Sequence, residues 1–310
     1  MVILITALTV LVLLFIFLLF VLYYITFGPM RKITDNYRLI PNNRHYNEIK
    51  DRIMSHIDEL EKTPCEDVTT KSRDGLTLFG RYYKRELDGI IELDFHGYRG
   101  HALRDYCGGA KMCLDKGRSS IIVEQRSHGR SDGNVITFGI RERYDVLSWV
   151  DYAIARFGKD VKIILSGVSM GAATVLMASE LNLPDNVVGI IADCPYTSPK
   201  EIITKVAYDK GLPGKLIYPL IKLSAKILAR VDIDKASAIE AVKNTDIPIL
   251  IIHGTDDRFV PYDMGKRIFE ACASSKKQML SVEGAGHATS YFKETNLYVE
   301  SVNNFLDSIL

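Results

Sequence analysis

The 310-residue chain has no surplus of either charge: 39 Lys and Arg stand against 38 Asp and Glu. Nothing in that balance would attract a polyanion, so nucleic acid is not an expected partner. Nor are the cysteines arranged in pairs. There are five, at positions 65, 107, 113, 194 and 272, an odd number with no C-x-x-C spacing. A disulfide framework is excluded as the organising device, and free, mostly buried thiols suit a reducing compartment. No Cys/His cluster has zinc-site spacing, so no metal is expected. Internal repeats are lacking, and no low-complexity tract occurs beyond one apolar run.

That run, Val2 to Phe27, lacks any charged residue. As a helix it measures about 39 Å, more than the ~30 Å of a bilayer's hydrocarbon core. A cleaved signal peptide would need a basic n-region, a shorter apolar core and a small-residue cleavage site. No Lys or Arg precedes the run and no A-x-A site follows it. The expectation is a retained transmembrane helix over residues 2–27. Tyr23, Tyr24 and Phe27 fall at its interfacial end, and Arg31, Lys32, Arg38 and Arg44 follow. The positive-inside rule then places the C-terminal domain in the cytoplasm.

Gly28-Pro29 ends the anchor. A polar juxtamembrane region, 28–65, holds one amphipathic helix around Tyr46 to Glu61. Ile49, Ile53, Ile57 and Leu60 mark its apolar face. Packing on the domain is the simpler reading of that face than lying in the membrane interface.

From residue 66 to 310 apolar strands alternate with helical stretches. Two β-rich runs flank Asp74-Gly75, a hairpin signal. Strands are expected at Ile90–Phe95, Ser120–Glu124, Val187–Ala192, Pro248–Ile252 and Gln278–Val282, with one more at the start of the stretch from Lys162 to Ala173. Helices are expected at His101–Lys116, Ile140–Phe157 (with Tyr144, Leu147, Val150 and Ile154 on one face), Tyr262–Ala273 and Tyr291–Leu310. The alternation implies an α/β fold with a doubly wound, mostly parallel sheet and an antiparallel edge. Residues 195–246 interrupt it with two or three helical stretches, Lys215 to Val231 being strongly apolar. This insert is expected to form a lid over the carboxyl ends of the strands.

The chemistry centres on Lys162 to Ala173. A buried strand meets a small-residue helix through Gly167-x-Ser169-x-Gly171, the nucleophile-elbow pattern. A Cβ on either glycine would collide with the neighbouring strand or helix. A serine hydroxyl needs a base, and the base needs an orienting carboxylate. Two histidines follow Ser169. His253 ends an apolar strand. His287 lies in Glu283-Gly284-Ala285-Gly286-His287-Ala288, a loop from which an imidazole can reach over the sheet, so it is the expected base. The acid is Asp256 or Asp257, both just past a strand end, where either could also serve as an Asx-turn residue.

These motifs resemble the α/β-hydrolase superfamily, in particular its serine-aminopeptidase, monoglyceride-lipase and dipeptidyl-peptidase-like branch, over about residues 66 to 310. The family's acid loop, H-G-x-x-D-x-x-V-P, matches His253-Gly254, Asp257 and Val260-Pro261, which implies Asp257 as the acid. Its H-G-x segment matches His96-Gly97-Tyr98 and implies the backbone N–H of Tyr98 as one oxyanion donor, the N–H of Met170 being the other. Its arginine-glycine-serine loop resembles Arg126-Ser127-His128-Gly129-Arg130-Ser131, with Glu124 where the family usually has Asp. That loop is read as structural despite His128.

The resemblance implies two-step acyl transfer by Ser169, His287 and Asp257, with no cofactor and no metal. The apolar lid and the anchor favour carboxylic esters with an apolar acyl group. A serine peptidase of aminopeptidase or prolyl type is the alternative, and such enzymes hold the peptide amine with lid carboxylates. The lid acids are Glu201, Asp209, Asp232, Asp234 and Glu240. An inactive hydrolase-fold binding protein is the non-enzymatic alternative. The expected partners are an ester or peptide small molecule and, through residues 2–27, a membrane. The oligomeric state is not legible.

Overall fold

The computed structural model describes residues 1–30 and 38–310. Arg31 and Lys32, used above to orient the anchor, lie outside the described residues. The N-terminal helix α1 spans Val2–Phe27 and is long and apolar enough to cross a membrane. Helix α2, Arg44–Lys62, is capped by the Asn43 side chain, which accepts from the Tyr46 N–H. Its four expected apolar residues, Ile49, Ile53, Ile57 and Leu60, are all buried against the domain.

Eight strands form one sheet: β1 (Glu66–Lys71), β2 (Thr77–Tyr83), β3 (Leu87–Phe95), β4 (Arg118–Glu124), β5 (Lys162–Val168), β6 (Val187–Asp193), β7 (Ile249–Gly254) and β8 (Lys277–Val282). Their order is β1-β2-β4-β3-β5-β6-β7-β8. β1 pairs antiparallel with β2, and β2 with β4; every later pairing is parallel. The antiparallel edge is the Asp74-Gly75 hairpin, with Gly75 at φ 87°. The chain steps from β3 to β4 in one direction and to β5 in the other, so the sheet has its topological switch point between β3 and β5. Ligands of open α/β sheets bind outside the strand ends at such a point.

Successive strand side chains face opposite ways. Ile163 and Leu165 of β5, and Ile249 and Ile251 of β7, enter one core cluster, while Ile164, Leu250 and Ile252 enter the other. On the first face lie α4 (Glu142–Phe157), α5 (Met170–Ala178) and α9 (Tyr262–Ala271). On the second lie α2, α3 (Ala102–Asp115), α10 (Ser290–Lys293) and α11 (Thr295–Asp307). Packing does not stop at residue 66: Phe27 of α1 is part of the first core and α2 part of the second.

Two helices differ from expectation. The buried side of α4 centres on Val146, Trp149, Val150 and Ala153, leaving Tyr144 and Ile154 at its margin. The helix is covered by both α5 and the sheet, and Glu142 and Asp145 are buried through hydrogen bonds to Thr137 and Arg126. The final helix is two helices, broken at Glu294. Arg52 of α2 donates to the Phe292 carbonyl (2.5 Å) and the Thr295 hydroxyl (2.7 Å), taking an acceptor that a continuous helix would need.

The insert folds as α6 (Pro199–Asp209), α7 (Gly214–Ser224), a π turn over Ala225–Ala229 and the short α8 (Ala238–Ala241). Ser198 caps α6 through the Glu201 N–H. α7 packs against α6 and along α1.

Candidate active site

β5 ends at Val168, and Ser169 turns the chain into α5 with φ 55° and ψ −111°. A side chain at positive φ is strained. The strain is held by the Ser169 N–H donating to the Asp193 carbonyl (2.8 Å) on β6. The glycines are required by contact: a Cβ on Gly171 would sit 1.8 Å from the Phe95 carbonyl oxygen, and one on Gly167 2.4 Å from the Gly171 backbone.

His287 arrives from the β8–α10 loop. Its Nδ1–H donates to Asp257 Oδ2 at 2.7 Å, and its Nε2 accepts from the Ser169 hydroxyl at 2.9 Å. Asp257 also fills the Asx role, since its Oδ1 accepts the N–H groups of Phe259 and Val260, both at 2.9 Å. One carboxylate therefore does both jobs that the sequence left to be shared between two. Asp256 points elsewhere, to His45 (3.1 Å) and Arg258 (3.2 Å). Burial alone would raise the Asp257 pKa. The imidazolium form of His287 and the hydrogen bonds from His253 and His287 outweigh it and hold the carboxyl well below the usual range. His253 is buried; its Nε2–H donates to the Val260 carbonyl (2.9 Å), which shapes the acid loop.

Met170 is the first residue of α5, where an N–H lacks an intrahelical acceptor. Gly97 adjoins the serine: a Cβ placed on it would lie 3.5 Å from Ser169 Cβ, so the Tyr98 amide follows at the rim of the same site. The Gly97 N–H donates to Asp105 Oδ2 (3.0 Å), and Gly100 leaves room for that carboxylate. The structure thus brings Ser169, Asp257 and His287 into one hydrogen-bonded chain, with Met170 and Tyr98 beside it.

Several neighbours were not legible in the sequence. Asp105 ties down the β3–α3 loop, yet it reads as an ordinary first-turn acid of α3. Asp193 is buried beside the site, and Tyr298 donates to its Oδ2 at 3.3 Å. Burial pushes Asp193 up to about 6 against the pull of His253 and His287. The Phe259 ring lies 4.9 Å from the His287 ring. Arg99, Cys194 and Ala288 share positive φ with Ser169 around the same crest, a strain pattern that residue types alone do not announce. Cys194, Asp257 and His287 approach one another closely enough to draw attention as metal ligands, but the Asp257 and His287 atoms are already engaged with each other.

The profile of the prolyl oligopeptidase family matches residues 137–310, more than half of the chain and all of the triad. The chain belongs to that family. This prolyl oligopeptidase family member is 27% identical over 199 residues to the uncharacterized Bacillus subtilis protein YqkD, covering 64% of this chain and 65% of that one. It is also 27% identical over 170 residues to the lysophosphatidylserine lipase ABHD12 of Danio rerio, covering 54% of this chain and 42% of the lipase. Among solved structures, an esterase from Pyrococcus furiosus superposes with a TM-score of 0.67 at 18% identity, covering 92% of this chain and 98% of the esterase. The fold is that of the α/β-hydrolases.

Proposed function

We propose that this protein is a membrane-anchored serine hydrolase acting on carboxylic esters with an apolar acyl group. The observation that carries the reading is the unbroken hydrogen-bond chain from Asp257 through His287 to Ser169, set on a strained elbow. Ser169 Oγ attacks the ester carbonyl carbon as its proton passes to His287 Nε2. Asp257 fixes the tautomer and stabilises the imidazolium. The N–H groups of Tyr98 and Met170 hold the oxyanion, each contributing about 3 kcal/mol. His287 then gives the proton to the departing alcohol, and water releases the acyl group by the same route.

The family name favours a second reading, cleavage of peptide bonds. The lid argues for the ester. Glu201 is paired with Arg267, Asp209 with Lys205, Asp232 and Asp234 with Lys222, and Glu240 with Lys243. Each of these five carboxylates already has a cation of the protein itself.

α1 supplies the anchor in this reading, with the catalytic domain on the cytoplasmic side, as Arg38 and Arg44 just past the helix favour. Protection of the domain from protease in sealed inverted vesicles would reverse that orientation. For the chemistry, the full-length protein is expected to be labelled by a fluorophosphonate probe, and Ser169→Ala and His287→Ala are expected to lose the label. Labelling that persists in Ser169→Ala would overturn the assignment. Short acyl esters compared with aminoacyl amides separate the two substrate readings.

A further inference from the structure

A span of about 30 Å needs about 20 helical residues, so a bilayer whose far face lies at Val2 is left near residue 21 or 22. Tilt would lengthen that requirement. In the structure Val2 to Leu18 stand exposed, a stretch of about 25 Å. Leu19 is buried, Leu22 and Tyr23 are half-buried, and the helix here lies along α7 and the π turn. The part of α1 that α7 covers is therefore the part that must still be at the membrane surface. The lid helix is held at that depth by geometry.

The surface α7 presents there is apolar. Leu216 is 75% exposed, Ile227 is 56% exposed, and Leu223 is exposed between them. Their spacing of seven and four residues keeps them on one helical face. Tyr218, Ile221, Ser224 and Ala225 face the opposite way into the protein. Lys215 and Lys226 are exposed next to the stripe, and Lys222 flanks it while paired with Asp232 and Asp234. Long cationic side chains beside an apolar stripe can rest their stems on lipid and reach the headgroups. Single exposed leucines are ordinary on a protein surface. A stripe continuous with a membrane-length apolar helix is not.

The same end of α1 touches the reaction site. The Tyr98 hydroxyl donates to the Thr26 carbonyl (2.8 Å), and Arg99 donates to the Ile25 carbonyl (2.9 Å). Phe27 packs edge-on to Phe138, and Phe138 stacks on Tyr98 at 4.9 Å. The last turn of the anchor and the loop bearing the proposed oxyanion amide form one packed unit.

We propose that the exposed face of α7 and the π turn, formed by Leu216, Leu223 and Ile227, inserts into the bilayer crossed by α1, so that Ser169 receives its substrate from the lipid phase. The substrate clause rests on the serine-hydrolase reading, and the docking rests on α1 crossing the membrane. The test uses the full chain in phospholipid vesicles, with the exposed Cys65 replaced by Ser. Nitroxide labels are placed one at a time through Leu216→Cys, Leu223→Cys, Ile227→Cys, Leu11→Cys in α1 and Glu300→Cys on α11. Labels at 216, 223 and 227 are expected to be relaxed by oxygen like the label at 11, and the label at 300 by a water-soluble nickel chelate. Nickel relaxation at the three lid sites with oxygen relaxation at 11 overturns the docking alone. Nickel relaxation at 11 overturns the anchor as well.

Activity gives the second arm. Leu216→Asp combined with Leu223→Asp is expected to lower turnover of a long-chain ester dissolved in the vesicle by about tenfold or more. Turnover of a short, water-soluble ester is expected to stay unchanged. Equal loss on both esters, or loss on neither, overturns lipid-phase supply. Failure of the parent protein to hydrolyse either ester overturns the ester reading on which the substrate clause rests, while the label data still decide the docking.

Discussion

His128 and His287 both sit beside a glycine in loops at the carboxyl ends of strands, and both use both ring nitrogens. Their partners separate them. The Nδ1–H of His128 donates to the Arg126 carbonyl (2.9 Å), and its Nε2 accepts from the Arg99 amide (3.1 Å). An amide can only donate, so protonating that ring would break a bond. His96, 4.6 Å away, is wired alike, between the Gly97 carbonyl and the Gln125 amide. The Nε2 of His287 instead faces a hydroxyl, which can surrender its proton and go on accepting, while its Nδ1–H faces a carboxylate. One loop stores hydrogen bonds. The other can move a proton. Exposure follows the same division: His128 is buried, whereas the His287 side chain is 20% exposed.

The largest effect should come from the loop that can move a proton. Asp257→Asn keeps an oxygen for the Phe259 and Val260 amides but spoils the tautomer of His287. We expect kcat to fall by about 10⁴-fold with the fold retained. A loss below tenfold would make the carboxylate merely a turn former.

The structural loop should answer in stability. Arg126 lies between Asp145 (2.5 Å) and Asp74 (2.9 Å), and the Asp145 end is buried. Arg126→Ala would leave Asp145 without its cation and cost about 3–5 kcal/mol, measured by urea unfolding. A cost under about 1 kcal/mol, the level of an exposed ion pair, would deny this loop its structural role.

The wiring of the histidine pair predicts acid lability. Burial lowers the pKa of His96 to about 4, and burial together with the nearby His96 ring lowers that of His128 to about 3. Free imidazole titrates near 6.5. Between these values the unfolded chain binds protons that the folded chain refuses. Stability should therefore fall as pH drops from about 6.5 to about 4, by about 1.4 kcal/mol per pH unit for each histidine. His101, also lowered to about 4 by burial, adds to the slope. His128→Gln should remove one histidine's share. An unaltered slope of urea midpoint against pH would erase the distinction drawn here between the two loops.

The smallest effect concerns Glu124, which accepts from the Arg130 amide (2.5 Å) and its guanidinium (3.1 Å). Glu124→Asp shortens that reach and should cost about 1 kcal/mol, with no change in kcat.

How much of this was legible follows from how local each signal is. The elbow reads from sequence because two glycines and a serine obey contact rules within five residues, and the Asp74-Gly75 hairpin because turn chemistry is local. The apolar face of α2 was equally plain. The break at Glu294 was not, because its cause is Arg52, far away in the chain. The buried side of α4 was misplaced because periodicity shows which residues are apolar, not how many neighbours will cover a helix. Asp105 carried no signal, since an acid in a first helical turn is common whatever it binds.

By itself, then, the sequence determined the parallel sheet, the serine on its corner, the pair of residues on two later loops, and an apolar N-terminal helix. Each follows from periodicity, turn chemistry or glycine sterics over a few residues. Tertiary structure alone decided that Asp257 both meets His287 and accepts the amides of its own turn, that every singled-out lid carboxylate is paired, and that the end of α1 is packed against Tyr98. These are contacts between segments remote in sequence, fixed by burial and by the requirement that buried polar groups find partners.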